Sequence, residues 1–279
     1  MQILQAIIMG IVQGLSEFLP ISSSAHLVIS SNLYKYFANV EHEQLSQEIF
    51  LDIMLHLGTL IAVLIFFRKD IKEIVIAFIN GVKNNNYSNN NAKIALYIII
   101  GTVITVLAAL PMQKIAEFLV ASPSFVGILL IITGLLLCIS EAYSKKLNEK
   151  SSEIDFKTSV FVAISQGIAA LPGFSRSGLT IATALLRKKD RVSAARYSFL
   201  LSIPIILGAS MVYPFFSIDV SELSSFNWTA IIVGTIVSGI VGYLCIKYFI
   251  KFVGKYSLSF FGYYCIIVGG LTFLFFILH

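Results

Sequence analysis

Charged side chains are scarce in this sequence: Asp, Glu, Lys and Arg together make up 13% of its 279 residues. Set against 57% hydrophobic residues and a mean hydropathy of +0.86, that is too little polar surface to solvate a soluble fold, so lipid must be the solvent. Membrane strands would alternate polar and apolar residues over about ten positions; continuous apolar runs stand here instead, so the chain is helical. Cysteine is rare. Cys138, Cys245 and Cys265 lie in apolar runs without metal-ligand spacing, which leaves them as apolar filler. The amino-terminal stretch lacks the basic region and small-residue cleavage site of a secretory signal and carries Gln13 and Glu17, so it is expected to stay in the mature protein. A net charge of +5 would suit nucleic acid, but the bases sit in short groups between apolar runs, where they mark orientation; no nucleic-acid partner is expected.

What the sequence does hold is a set of runs near the roughly 18 residues that a helical span needs. Five stand out at about 49 to 67, 94 to 111, 125 to 142, 198 to 217 and 229 to 250, and a sixth runs from about 258 to 278. The connection after the first carries Arg68, Lys69, Lys72, Lys83 and Lys93 against Asp70 and Glu73, which places it in the cytoplasm. The next, with only Lys114 and Glu117, falls outside. Lys145, Lys146, Lys150 and Lys157, diluted by Glu149, Glu153 and Asp155, return inside, as do Arg187, Lys188, Lys189, Arg191 and Arg196. Asp219 and Glu222 fall outside and Lys247, Lys251 and Lys255 inside, which leaves both termini outside.

Residues 158 to 186 therefore have basic loops on both flanks and are broken by Pro172 and Gly173, so they should enter from the cytoplasm and turn back. Residues 2 to 33 precede an outside loop with Glu41, Glu43 and Glu48 and should dip in from the opposite face. The two stretches are also alike: Ile11-Val12-Gln13-Gly14-Leu15 with Pro20 and Ser22 matches Ile164-Ser165-Gln166-Gly167-Ile168 with Pro172 and Ser175, about 153 residues on. The expected fold is all-α, a polytopic membrane protein of six transmembrane helices plus two re-entrant helix pairs in an inverted repeat. Residues 1–150 would hold the pair 2–33 and three spans, residues 151–279 the pair 158–186 and three spans, together one membrane domain. Eight or nine full spans is the competing count, against which the short, interrupted segments argue. The Asn-rich run from Asn84 to Asn91 reads as a polar loop without chemistry. Gly10 and Gly14 suit close helix packing, and the aromatics, Trp228 included, suit lipid and interface positions.

Chemistry concentrates where the helices break. Gln13 and Glu17, four apart, share a helix face. Pro20, Ser22, Ser23, Ser24 and His26 follow, describing one helix ending and another starting, with hydroxyls at an N-terminus whose free N–H groups and dipole favour an anion such as phosphate. Serines there also cap and close-pack helices. Glu17 favours the functional reading, because an ionised carboxylate at membrane depth costs about 3 kcal/mol or more. The second break, Pro172-Gly173-Phe174-Ser175-Arg176-Ser177-Gly178-Leu179-Thr180, centres on Arg176, whose planar fork suits phosphate oxygens, with Ser175, Ser177 and Thr180 as neutral donors. A buried lock between Arg176 and Glu17 is the structural alternative. Asp52 and His56, also four apart, either reach the pocket mouth and its cation or cap the start of the first long span.

Both segments resemble the marks of the undecaprenyl-diphosphate phosphatases called BacA or UppP: Glu/Gln-x-x-x-Glu, here Gln13 to Glu17, and Pro-Gly-x-Ser-Arg-Ser-x-x-Thr, here Pro172 to Thr180. The resemblance extends over the whole chain. It implies hydrolysis of the C55 isoprenoid diphosphate to the monophosphate carrier and orthophosphate at the extracytoplasmic side of a bacterial plasma membrane, recycling of the cell-wall lipid carrier, and bacitracin tolerance. It implies a divalent cation, Mg²⁺ or Ca²⁺, at Glu17 with Gln13, and carries over Glu17, His26, Ser23, Arg176 and Ser175 as functional residues. Gln13, Ser22, Ser24, Gly173, Ser177 and Thr180 complete the expected substrate contacts; Gln13 departs from the family's two-acid form.

Cleaving a diphosphate requires neutralising developing charge, here by Arg176 and the cation, and a positioned nucleophile, water or Ser23, activated by His26 or Glu17. Ser23 with His26 is the expected pair. A secondary transporter or lipid-phosphate flippase is the competing class, because inverted repeats with broken helices are a transporter architecture. The expected partners are the isoprenoid diphosphate lipid and the membrane, with a homodimer left open.

Overall fold

The computed structural model describes residues 2–38, 45–120, 123–217 and 220–278; Glu41, Glu43, Asp219 and the side chain of Glu117, which entered the charge count, lie outside the described residues. Twelve α-helices are described: α1 (Ile3–Ser16), α2 (Ser23–Ala38), α3 (Leu45–Phe66), α4 (Arg68–Asn84), α5 (Asn90–Ala109), α6 (Gln113–Val120), α7 (Pro123–Lys145), α8 (Phe156–Ile168), α9 (Arg176–Leu186), α10 (Arg191–Ser217), α11 (Trp228–Val253) and α12 (Ser259–Leu278). Among the described residues the sole β feature is an isolated bridge between Ser151 and Lys189. Six stretches are long and apolar enough to cross a membrane, Gln47–Phe66, Asn90–Ala116, Ser124–Lys145, Arg191–Val212, Trp228–Val253 and Ser259–Leu278, and each overlaps one of the six expected runs. The protein is an all-α polytopic membrane protein.

Lipid is as apolar as leucine, so these helices gain from close backbone approach more than from burying apolar surface. α12 shows both sides of this: Phe260, Tyr263, Ile267, Leu271 and Leu274 face outward at helical spacing, while Gly262 and Gly269 lie against α7. α1 meets α11 in the same way. A Cβ at Gly10 would come 2.6 Å from the Gly234 carbonyl oxygen, and one at Gly14 2.8 Å from that of Ser238, which bears out the packing role of this pair. α8 packs on α5 and on α9, as α1 packs on α11 and on α2.

Two segments differ from expectation, and a third, the expected polar loop, also caps its neighbouring helices. The basic connection after the first span is a helix, α4, which sets Lys69, Lys72 and Lys83 beside exposed Val75, Ile76, Ile79 and Val82. Its amphipathic pattern suits a membrane surface. The Asn-rich run supplies caps: Asn85 takes a left-handed φ of 47° at the end of α4, and the Asn89 side chain accepts the Asn91 amide at the start of α5. α10 begins at Arg191, seven residues before the apolar run, because its charges are neutralised: Arg191 pairs with Glu141 of α7 and Arg196 with Asp70 of α4. With Lys189 Nζ at 2.6 Å from Asp155 Oδ2, these pairs tie together the connections that charge counting puts on one side.

Candidate functional site

α1, α2, α8 and α9 contain 14, 16, 13 and 11 residues, too few to cross a hydrocarbon core of about 30 Å at about 1.5 Å per residue. Each pair is broken by a proline. After α1 the chain turns through Pro20 to Ser22, which adopts a left-handed φ of 71° and caps α2 by accepting the Ala25 amide at 3.2 Å. After α8 it turns through Pro172 and Gly173, at φ 106°, to Ser175, which caps α9 by accepting the Gly178 amide at 3.0 Å. Only glycine fits there, since a Cβ would also lie 2.6 Å from the Val126 carbonyl oxygen. Carbonyls at the first break receive thiols: Cys245 donates to Leu15 O and Cys265 to Pro20 O. These two cysteines are buried filler with that added contact.

The two turns interlock. Ser22 Oγ donates to the Phe174 carbonyl at 3.1 Å, Ser24 Oγ accepts the Gly173 amide at 3.4 Å, and Ser177 Oγ donates to the Leu19 carbonyl at 3.0 Å. Across this junction Arg176 Nη2 donates to Glu17 Oε1 at 2.5 Å. On the other carboxylate oxygen, Oε2, Gln13 Nε2 and Ser23 Oγ each donate at 2.9 Å, and His56 Nε2 stands 3.7 Å away. Glu17 is only 7% exposed, so its charge depends on these partners.

The expected residues thus separate into groups. Glu17, Arg176, Ser23 and Gln13 converge on one carboxylate. Ser22, Ser24, Gly173, Ser175 and Ser177 build the turns and hold them together. Thr180 lies elsewhere: it is buried and bonds to the Arg176 carbonyl at 2.7 Å and to Ser198 Oγ at 2.6 Å, fastening α9 to α10. The expected Ser23 and His26 pair is replaced by Ser23 with Glu17. The physical reason is that the His26 ring is spent, with Nδ1–H donating to the Ser22 carbonyl at 2.8 Å and, in the neutral ring, Nε2 accepting from Tyr264 OH at 2.8 Å. Tyr264 was missed because it lies 238 positions from His26 and reads locally as an interface aromatic. His56, left open by its spacing from Asp52, takes the inner of its two readings: Nδ1–H donates to the Asp52 carbonyl at 2.8 Å, which turns Nε2 toward Glu17.

Two polar atoms here lack a partner among the described residues, Gln13 Oε1 and Arg176 Nη1, both buried. The first is a hard oxygen donor beside a carboxylate; the second is a guanidinium donor beside the same group. Among the described residues no three of His, Cys, Asp and Glu form a dedicated metal cage. Mg²⁺ commonly binds through one or two protein oxygens plus substrate phosphates, and Glu17 with Gln13 Oε1 fits that pattern.

The family model described as bacitracin resistance protein BacA matches residues 6–271. The undecaprenyl-diphosphatase of Halothermothrix orenii is 38% identical over 269 residues, covering 96% of each chain. That of Methanobrevibacter smithii is 39% identical over 283 residues, covering 98% of each, and that of Carboxydothermus hydrogenoformans 39% identical over 268 residues, covering 95% of this chain and 94% of its own. With both turns, the site and five of the six spans falling wholly inside the matched range, the chain belongs to the BacA family.

Proposed function

We propose that this protein is an integral membrane phosphatase that hydrolyses undecaprenyl diphosphate to undecaprenyl phosphate and orthophosphate, recycling the lipid carrier for cell-wall synthesis and conferring bacitracin tolerance. The observation that carries this reading is the shared carboxylate: Glu17 holds the Ser23 hydroxyl at 2.9 Å on one oxygen and the Arg176 guanidinium at 2.5 Å on the other. A nucleophile, its base and a phosphate-binding cation then stand within one contact of each other.

In this scheme Arg176 receives the terminal phosphate through its spare Nη1 and neutralises the charge that develops on the equatorial oxygens. Ser23 Oγ forms a bond to the terminal phosphorus as the bond to the lipid monophosphate oxygen breaks, and its proton passes to Glu17 Oε2, to which it already donates. Water then cleaves the phosphoserine, releasing orthophosphate and restoring the hydroxyl. His56 buttresses Glu17, and His26 with Tyr264 fixes the turn that presents Ser23. A divalent cation, Mg²⁺ or Ca²⁺, would be held by Glu17 and Gln13 Oε1 and would supply further charge neutralisation to the diphosphate.

The same reading treats α1 with α2 and α8 with α9 as re-entrant pairs of an inverted repeat, entering from opposite faces of the plasma membrane, with the site open to the extracytoplasmic side. Support comes from the paired N-cap serines, from the parallel contacts of α1 on α11 and α8 on α5, and from the ion pairs that gather the basic connections on one face. The test is orthophosphate release from an isoprenoid diphosphate by purified protein, compared with Glu17→Gln and Arg176→Ala, with and without chelator. Release that is lost in both variants and in chelator is expected. Saturable lipid binding without release by folded wild type would instead make the protein a carrier.

A further inference from the structure

At the opposite end of α9 from Arg176 lies a cavity of about 660 Å³ lined by Leu147, Asn148, Glu149, Lys150, Ser151, Arg187, Lys188 and Lys189, a size usual for small-ligand sites. Its two walls are the segment just after the span Ser124–Lys145 and the turn just before the span Arg191–Val212, so it sits at the level where lipid headgroups begin. Arg187 lays its guanidinium over the Phe161 ring, 5.2 Å from the centroid, and Phe161 and Leu186 are exposed, as acyl-facing side chains are. The wall sets Lys150, Arg187, Lys188 and Lys189 against Glu149: Lys189 is taken by Asp155, whereas Arg187 Nε is buried with no hydrogen-bond partner among the described residues.

Backbone strain marks the same turn. α9 ends with the Lys188 amide donating to Leu185 O at 2.9 Å and the Lys189 amide to Ala184 O at 3.0 Å, a helix end that ordinarily places glycine at the left-handed position. Lys188 holds that position at φ 64° instead. L side chains rarely adopt that conformation, so local backbone preference does not account for the lysine there.

We infer that this cavity binds the phosphate of an anionic phospholipid headgroup from the leaflet on the basic face, with Arg187, Lys188 and Lys150 as the ligating cations. Phosphate chemistry alone would also admit free orthophosphate; the flanking Phe161 and Leu186 favour a headgroup whose acyl chains run alongside. The test is thermal unfolding of the purified full chain in neutral detergent, titrated with phosphatidylglycerol, phosphatidylcholine or inorganic phosphate, for wild type and the double variant Arg187→Gln, Lys188→Gln. Phosphatidylglycerol should raise the wild-type midpoint saturably, and phosphatidylcholine should not. Each surface cation contributes roughly fivefold in affinity, so the double variant should need about 25-fold more phosphatidylglycerol for half the shift. Lys247→Gln with Lys251→Gln, which removes the same charge outside the cavity, should titrate like wild type. An equal loss in that second variant, an undiminished response in the first, or a shift reproduced by inorganic phosphate would overturn the assignment.

Discussion

Replacing both Glu17 and Arg176 with glutamine separates a structural lock from a working site. Arg176→Gln leaves a carboxylate that is 7% exposed and held only by the neutral donors Gln13 and Ser23, with His56 farther off. Breaking a buried pair from one side costs about 3–5 kcal/mol, which should register fully here. Glu17→Gln strands a guanidinium whose side chain is 17% exposed, so water relieves part of the loss and about 2–3 kcal/mol is expected. The double variant has two neutral amides that can hydrogen-bond each other, and its stability should return to within about 1–2 kcal/mol of wild type. Activity should follow a different rule. Losing one donor aimed at developing charge costs about 10²-fold or more, and neither amide restores it, so phosphate release should stay low in both single variants and in the double. Unfolding in mixed micelles and phosphate release from the same preparations measure the two. Activity that recovers together with stability in the double variant would refute the catalytic reading and leave a lock.

Three further outcomes follow from the same geometry. Gly173→Ala should destabilise the protein by about 2 kcal/mol or more and lower phosphate release, because the residue sits at φ 106° and its Cβ would lie 2.6 Å from a backbone oxygen; thermal unfolding and the release assay check it. Gln13→Ala removes the unpaired oxygen beside Glu17, and the cation concentration for half-maximal release should rise about tenfold, with Gln13→Glu restoring it. Burial alone would push the Asp155 carboxyl up, but Lys189 at 2.6 Å and two bonds from Thr158 outweigh it and hold the group below the ordinary carboxylate range. A depressed carboxylate contributes stability that is present above the unfolded value near pH 4 and lost as pH falls below it. Wild type should therefore lose stability on acidification below about pH 4 more steeply than Asp155→Asn, in unfolding midpoints measured against pH.

The spans were legible because an apolar run of membrane length has one physical outcome, and the breaks because proline ends a helix wherever it stands inside one. Glu17 and Arg176 stood out for a related reason, since charge at membrane depth is expensive and few positions carry it, and Ser23 because its hydroxyl follows the break at a helix start. What escaped were features set by tertiary approach. Arg191 and Arg196 look like loop residues until Glu141 and Asp70, 50 and 126 positions away, accept their charge. The hydroxyls of Ser175, Ser177 and Thr180 look alike in sequence, yet one caps a helix, one crosses to Leu19 and one is spent on Ser198. His26 stands three positions from Ser23, near enough on a helix to suggest a pair, but a carbonyl four residues back and a tyrosine from α12 take both ring nitrogens first.

The two turns share a frame and differ in charge. Ser22 and Ser175 are equivalent caps, each following a proline, and each accepts an amide three residues on. The next position is Ser23 in one turn and Arg176 in the other; four residues after the matched glutamine stands Glu17 in one and Ala170 in the other. The acid therefore comes from one turn and the cation from its counterpart. Arg176 occupies the first position of α9, where the helix dipole opposes a cation by about 0.3–1 kcal/mol, so helix stability does not explain its place. Glu17 offsets that cost, and a phosphate would offset it from the other side through Nη1. The guanidinium thus has one donor committed to the fold and one available to an anion. A lock needs only the first; the second, buried and without a partner among the described residues, is the donor that the catalytic reading uses.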